Sequence, residues 1–242
     1  MTLLENRFIN SGLESIEMNL GDKAVKSLNV LDLGCCPYGK AWEIQKRTHA
    51  DRFAGKLPDT LILVEHPHVY TLGKNANASH LIASQEYLKS RGIEIFKVDR
   101  GGDITYHGPG QLVSYPIFNL KEHKESIAWY VYSVEEVLIQ MLAGFDIQAG
   151  RIKGLTGIWV GDKKIAAIGM RVSRWVTMHG FALNVSTDLS LYNGIVPCGI
   201  VDKGVARMID LNPAVSMKAV KIAVVEEFVK QFGFYRIANE YK

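Results

Sequence analysis

The chain alternates between short apolar runs and longer amphipathic stretches. The near-continuous apolar run Thr60–Glu65 predicts a central, buried strand, and Pro67 ends it. Apolar residues recur on one side of Tyr38–Ala54, which predicts a helix. Further strands are predicted at residues 28–33, 69–72, 93–98, 104–106, 111–118, 158–160, 164–172 and 175–185, and further helices at 85–91, 126–143 and 214–232. The alternation favours an α/β or α+β fold, a compact main sheet with a small C-terminal lobe from about residue 185.

Composition excludes several classes of protein. With 242 residues, the chain is long enough for one large domain or two small ones, and no linker rich in Pro, Ser or Gly divides it. No stretch approaches the roughly 18 to 20 apolar residues of a membrane helix, and no secretory signal is visible. A net charge of +3 gives no argument for nucleic-acid binding. We therefore expect a cytoplasmic protein that binds neither a membrane nor nucleic acid.

The three cysteines do not form a disulfide framework or a zinc site, since their spacing fits neither. Cys35 and Cys36 precede Pro37 at the end of a strand, and we interpret both as structural. Cys198 differs because Pro197 and Gly199 flank it, which predicts a cysteine displayed on a sharp turn. A thiol in such a turn can be a nucleophile if a cationic or basic neighbour activates it, although a buried, inert cysteine is the commoner case.

A glycine-rich segment, RGGDITYHGPG, begins at Arg100. Its glycines allow backbone to approach a ligand or to turn tightly, and Arg100 could neutralise a phosphate or carboxylate. His107 could donate, accept or shuttle a proton. The spacing fits neither a Walker A loop nor a dinucleotide-binding loop, and an irregular turn with a surface arginine is the alternative.

Two other segments combine small residues with a titratable side chain. Lys164 precedes a strand of small residues, which suits either a ligand-lining wall with a partly buried lysine or close sheet packing with a lysine in water. His179 and Gly180 interrupt another strand, which indicates a bulge or a close backbone approach. A lone histidine at such a position is more often structural than catalytic.

Together these segments resemble the octanoyl-[acyl-carrier-protein]:protein N-octanoyltransferase family. The resemblance extends from about Leu33 to Ile200 and rests on four blocks in order: LILVEHPHVYTLGK, RGGDITYHGPGQLVSYPIFNL, GLTGIWVGDKKIAAIGMRVSRWVTMHGFALNV and IVPCGI. It implies the mixed sheet with flanking helices of lipoate and biotin protein ligases, plus a small C-terminal lobe. We expect a single catalytic domain over residues 1–242, in which residues 1–27 form an extension of unknown role.

The resemblance also implies the site residues. Cys198 matches the nucleophile that forms an acyl thioester, and Lys164 matches the lysine that lowers the pKa of that cysteine and exchanges protons with it. The substrate-binding segments that the resemblance implies are Arg100, Gly101, Gly102, Asp103, Ile104, Thr105, Tyr106 and His107; Ala167, Ile168 and Gly169; and Gly180, Phe181 and Ala182.

The implied reaction moves an octanoyl group from octanoyl-acyl carrier protein, through a Cys198 thioester, to a lysine of a lipoyl-domain protein, the first step of endogenous lipoate synthesis. Expected acceptors are 2-oxoacid dehydrogenase E2 subunits and the glycine cleavage H protein. Neither ATP nor a metal is expected, because a thioester already carries the activated acyl group. The alternatives are an ATP-dependent lipoate or biotin ligase on the same fold, a lipoyl amidotransferase, a cysteine hydrolase and a non-catalytic binding module.

Overall fold

The computed structural model describes residues 26–196 and 204–238. Within these ranges two sheets are present, with strand orders β11-β1-β2-β6-β10-β9-β8-β7 and β4-β3-β5. The strands are β1 (Ser27–Cys35), β2 (Asp59–Glu65), β3 (Val69–Leu72), β4 (Glu94–Lys97), β5 (Ile104–His107), β6 (Gln111–Ile117), β7 (Gly150–Ile152), β8 (Leu155–Val160), β9 (Lys163–Ser173), β10 (Val176–Asn184) and β11 (Arg236–Ala238). The α-helices are α1 (Tyr38–Phe53), α2 (Gln85–Ser90), α3 (Ile127–Ala143) and α4 (Met217–Phe232).

The larger sheet is mixed, as the sequence predicts. β1 pairs in parallel with both β2 and β11, whereas β2, β6, β10, β9, β8 and β7 pair antiparallel with one another in that order. In the smaller sheet β3 pairs in parallel with β4 and antiparallel with β5. This smaller sheet places the glycine-rich segment against the larger one.

The two faces of the large sheet are covered by different helices. On one face α3 and α4 pack against the sheet, with Val134 and Phe228 in the same buried cluster as Leu112 and Leu183. On the other face α1 inserts Ala41 into a second cluster. The second face is only partly covered, and the candidate site occupies the remainder.

Two helix ends follow from local chemistry. The Ser126 hydroxyl accepts a hydrogen bond from the Trp129 N–H at 3.2 Å, which confirms the predicted cap of α3. Gly233, at φ 67°, ends α4 in the left-handed conformation that glycine favours. The start of α4 lies later than predicted, at Met217, because the Asn212 side chain accepts from the Ala214 N–H and holds a turn there.

The C-terminal part is small and packs onto the main sheet. Helix α4 shares the core under α3, and β11 adds a parallel strand beside β1. In the described part of the chain, no helix combines the length and apolar character needed to cross a membrane.

Candidate active site

The glycine-rich segment runs between the two sheets and is bonded to both. The Gly101 N–H donates to Met170 O on β9 at 2.9 Å, and the Gly73 N–H donates to Asp103 O at 3.2 Å. A side chain at Gly73 would place its Cβ 2.3 Å from Gly102 O, so only glycine allows this approach. The segment is therefore fixed in place by its backbone.

Arg100 braces this segment from within. Its guanidinium donates to Thr71 O at 2.7 Å, to Thr71 Oγ1 at 3.0 Å and to Gly101 O at 3.0 Å. The residue is only 8% exposed. These contacts give Arg100 a structural role in the loop, and its neutralisation of an anionic ligand stays a prediction.

Asp103 joins the segment to a neighbouring 3-10 turn, Ala78–His80. Its carboxylate accepts the Ile104 N–H at 2.8 Å and the Asn77 N–H at 3.2 Å, and it pairs with His80 Nδ1. The His80 carbonyl in turn accepts the N–H of Val196 at 2.8 Å. Asp103 thus connects the glycine-rich segment to the chain just before residue 197.

The other two predicted segments face each other across two strands. Ala167 pairs with Ala182, Ile168 with Phe181, and Gly169 with Gly180 in the β9–β10 register. A Cβ at Gly180 would lie 2.2 Å from Ser114 O, and a Cβ at Gly169 would lie 3.1 Å from Gly101 O. The glycines therefore let β6 and the glycine-rich segment approach closely.

One cavity brings the three predicted segments together. From those segments it is lined by Arg100, Gly102, Asp103, Ile104, Thr105, His107, Ala167, Ile168, Gly169, Gly180, Phe181 and Ala182. Two predicted residues lie elsewhere. Gly101 contacts β9 behind the cavity, and Tyr106 is buried with its hydroxyl hydrogen-bonded to His68 Nδ1 at 2.8 Å.

The cavity has lining residues that the sequence analysis did not assign to a site. Tyr38, Val113, Tyr115 and His179 complete the wall. The alternation of β6 places Val113 and Tyr115 on one face, but nothing in the sequence says that this face borders a cavity. Tyr38 contributes from the first turn of α1, which the folded chain brings across the sheet.

Two buried histidines, His107 in the cavity wall and His66 near it, are neutral and hydrogen-bonded. Burial lowers the pKa of His107 to about 3 and that of His66, behind Tyr115, to about 4. His107 Nδ1–H donates to Gln111 Oε1 at 2.8 Å, and His66 Nε2 accepts from the Tyr115 hydroxyl at 2.7 Å. Both imidazoles are uncharged at neutral pH, so His107 is poorly suited to carry a proton.

His179 lies at the far end of the same wall in an unusual conformation. Its φ is 60°, and its N–H donates to Gln45 Oε1 at 3.1 Å rather than to a neighbouring strand. Its Nε2–H donates to Asp99 at 2.8 Å, and Arg171 pairs with the same carboxylate. Strand β10 continues through His179 and Gly180 without a shift in register, so the predicted bulge is absent and the predicted close backbone approach is found, at Gly180. The contacts of His179 orient its side chain, which is buried.

A β-bulge determines the direction of Lys164. Trp159 pairs with Lys164 and the preceding Ile158 pairs with Ala166, so β9 has one residue more than β8 at this point. Ile165 and Ala166 both belong to the main core cluster, and they line a second, smaller cavity together with Lys164 and Ala167. Without the extra residue, strand alternation would place Lys164 and Ala167 on opposite faces.

The smaller cavity adjoins the larger one. Thr105 and Ala167 line both, and the smaller one adds Lys164, Asn184, Tyr192 and Val205. The backbone of Lys164 donates to Gly204 O at 2.9 Å and accepts from the Ala206 N–H at 2.9 Å. The chain just after residue 203 is therefore bonded to Lys164 itself.

Cys198 lies outside the described residues. The other two cysteines are described: Cys35 is exposed and Cys36 is buried, and burial raises the pKa of the Cys36 thiol. Among the described residues no group of three or more His, Cys, Asp or Glu side chains is arranged to hold a metal ion.

The comparisons with known proteins show the family and the fold. The lipoyl protein ligase A/B catalytic domain family matches residues 37–229. Lipoate-protein ligase A bound with ATP has a TM-score of 0.71 at 18% identity, covering 90% of this chain and 89% of its own. A putative lipoate protein ligase from T. acidophilum has a TM-score of 0.69 at 18% identity, covering 88% and 90%. The chain belongs to the lipoyl protein ligase A/B catalytic domain family.

Closer relatives define the activity. An octanoyltransferase of Solibacter usitatus is 49% identical over 202 residues, 84% of this chain and 91% of the relative. One of Gloeobacter violaceus is 46% identical over 205 residues, 84% and 90% respectively. The chain is accordingly a transferase that moves octanoyl groups in lipoate biosynthesis.

Proposed function

We propose that this enzyme transfers the octanoyl group in two steps through a thioester on Cys198. The donor is octanoyl-acyl carrier protein, and the acceptor is a lysine of a lipoyl-domain protein, such as a 2-oxoacid dehydrogenase E2 subunit or the glycine cleavage H protein. One solved relative in fold, from Thermoplasma acidophilum, is described together with its E2 lipoyl domain. An acceptor of that kind suits an enzyme with the same fold.

One observation carries the proposal: the two flanks of the segment that contains Cys198 are bonded to Lys164, which lines the smaller cavity, and to His80, which pairs with Asp103 in the wall of the larger one. Val196, two residues before the cysteine, bonds to His80 beside Asp103. Gly204, six residues after it, bonds to the backbone of Lys164. These attachments support a site in which the cysteine, Lys164 and the glycine-rich segment act together.

In the first step the Cys198 thiolate attacks the thioester carbonyl of the donor. The new C–S bond forms as the bond to the carrier's sulfur breaks, and the departing thiolate takes a proton from the Lys164 ammonium, which leaves Lys164 as an amine for the second step. Lys164 as an ammonium stabilises the attacking thiolate. A free thiol has a pKa near 8.5, so a cationic neighbour raises the reactive fraction at neutral pH.

In the second step the ε-amine of the acceptor lysine attacks the Cys198 thioester. An amide bond forms, the Cys198 sulfur leaves, and the proton lost by the amine passes to Lys164 or the departing thiolate. Exchange of one thioester for another is nearly neutral in free energy, and conversion to an amide is downhill. The reaction therefore needs neither ATP nor a metal.

The apolar part of the larger cavity suits the acyl chain. Ala167, Ala182 and Val113 present an apolar wall that adjoins the cavity of Lys164. Burial of about seven methylene and methyl groups at roughly 0.8 kcal/mol each provides about 5 kcal/mol of binding free energy.

The thiol that the reaction requires persists in the reducing cytoplasm, where we place the enzyme.

Reconstituted transfer tests this function. With octanoyl-acyl carrier protein and a lipoyl domain as the only substrates, we expect the octanoylated domain to accumulate without ATP. With free octanoate, ATP and Mg²⁺ in place of the donor, we expect no product. Product from free octanoate and ATP would favour a ligase instead, and transfer from a lipoylated protein alone would favour an amidotransferase.

A further inference from the structure

Lys164 is held against an aromatic ring that the proposed mechanism does not use. Its Nζ lies 4.9 Å from the centroid of the Trp159 ring, within the range of a cation–π contact. The two residues pair directly across β8 and β9, so their side chains share one face of the sheet. The indole is 3% exposed, and its N–H donates to Leu155 O at 3.3 Å, which fixes the ring.

Gly157 makes room for this contact. It lies two residues before Trp159 on the same face of β8, and the Cε and Cδ of Lys164 pass 3.4 and 3.5 Å from the position that a Cβ would occupy. That Cβ would also lie 2.7 Å from Ala166 O, at the bulge that directs Lys164. Gly157, the bulge at Ile165 and the Trp159 ring therefore surround the Lys164 side chain together.

We propose that Trp159 is a positioning residue for this reaction. Its ring holds the ammonium of Lys164 beside Gly204, at the flank of the segment that contains Cys198. The inference rests on the proposed function, since it concerns the lysine assigned there. A flexible lysine side chain has many rotamers, and a buried ring face that attracts the cation reduces their number. The ammonium is then already in place when the thiol ionises.

The pH dependence of Cys198 alkylation tests this role. Iodoacetamide reacts with the thiolate, and peptide-resolved mass spectrometry separates Cys198 from Cys35 and Cys36. The alkylation rate is measured between about pH 6 and pH 9. We expect its pH midpoint in Trp159→Leu to lie about half a pH unit to one pH unit above that of the wild type, with about three- to tenfold slower alkylation at pH 7. Trp159→Phe keeps a ring with a weaker face and should fall between the two.

Trp129→Leu is the matched control. Trp129 is a partly buried tryptophan that packs in the α3–α4 cluster, so its loss removes similar apolar area without touching Lys164. We expect the wild-type midpoint in this variant. An unchanged midpoint in Trp159→Leu, or in Trp159→Phe if the leucine variant does not fold, would overturn the proposal.

Two further measurements separate this proposal from the proposed function. Lys164→Ala should raise the pH midpoint of Cys198 alkylation. If the midpoint shifts in Lys164→Ala but not in the Trp159 variants, the role of Trp159 is overturned and that of Lys164 stands. If it shifts in none of these variants, Lys164 has no part in the mechanism. In protein labelled with ¹³C at lysine Cε, the Lys164 signal, identified by its loss in Lys164→Arg, should show the upfield ring-current shift of a group above an indole. An unshifted signal in the wild type would contradict the contact itself.

Discussion

Individual side chains at this site obtain their properties from burial more than from residue type. His66 and His107 are neutral because the interior disfavours the imidazolium, and each is fully engaged in neutral hydrogen bonds. From sequence alone, His107 is a candidate for donating, accepting or shuttling a proton. Its folded surroundings assign it instead to the framework of the cavity.

Stability should fall as pH decreases from about 6.5 towards 4. In the folded chain the pKa is about 4 for His66 and about 3 for His107, below the ordinary value of 6.5. Between these pH values the unfolded chain therefore binds more protons than the folded chain. At pH 5 this lowers the free energy of unfolding by about 2 kcal/mol for each histidine. Urea titrations at pH 7 and pH 5 measure the loss, which His66→Gln should roughly halve; equal stability at the two pH values would contradict the assignment.

Lys164→Ala should leave the fold intact and slow formation of the acyl-enzyme by about 10² or more. The backbone bonds of residue 164 to Gly204 and Ala206 survive the substitution, so the cysteine segment keeps its attachment. Circular dichroism and single-turnover acylation give the two readouts. Lys163→Ala, the exposed neighbour, serves as control and should react at the wild-type rate; an unaffected Lys164→Ala would remove the lysine from the chemistry.

Strands and loops place the site, and sequence predicts them unevenly. Most predicted strand ends lie within one or two residues of those found, since apolar runs and turn residues record local geometry. The three-stranded sheet was not predicted, because the pairing of β3 with β4 and β5 depends on contacts distant in sequence. The bulge at Ile165 was not predicted either, because it is a shift in register that exists only once β8 and β9 pair.

Gly180→Ala tests whether the close contact between β6 and β10 is needed for stability and for binding of the acyl donor. Its Cβ would lie 2.2 Å from Ser114 O and 2.6 Å from the Cδ of Pro116, so the strands must separate. We expect a loss of about 1 to 3 kcal/mol in stability and a raised KM for the acyl donor. Gly150→Ala, with open space around its Cβ, should stay within about 0.5 kcal/mol of wild type. Equal behaviour of the two variants would refute this reading of Gly180.

At the scale of the whole molecule, the C-terminal part contacts the main sheet at two places among the described residues. Helix α4 places Phe228 and Phe232 against Phe118, which follows β6, and β11 extends the sheet beside β1. The identification of Cys198 and Lys164 came from resemblance rather than from periodicity, because residues 34 positions apart in sequence give no local signal of contact. The described flanks at Val196 and Gly204 bond to His80 and to Lys164, and a contact between Lys164 and Cys198 stays a prediction.

Phe228→Ala should destabilise the main sheet together with α4. The ring contacts Phe118, Phe181 and Phe232, and its removal should cost about 3 to 5 kcal/mol. Ile222→Ala on the same helix is the control: Ile222 is 43% exposed, so we expect a smaller loss. Denaturant unfolding followed by far-ultraviolet circular dichroism and by tryptophan fluorescence should give coincident transitions. A separate, earlier transition would show that the C-terminal part folds on its own.

The proposed reaction depends above all on a thioester formed at Cys198. Intact-protein mass spectrometry after incubation with octanoyl-acyl carrier protein, without an acceptor, tests it most directly. We predict a single octanoyl adduct that hydroxylamine removes, as it does a thioester, and that is retained in Cys35→Ala and Cys36→Ala and absent in Cys198→Ala. An octanoyl adduct that persists in Cys198→Ala would contradict a thioester intermediate on Cys198.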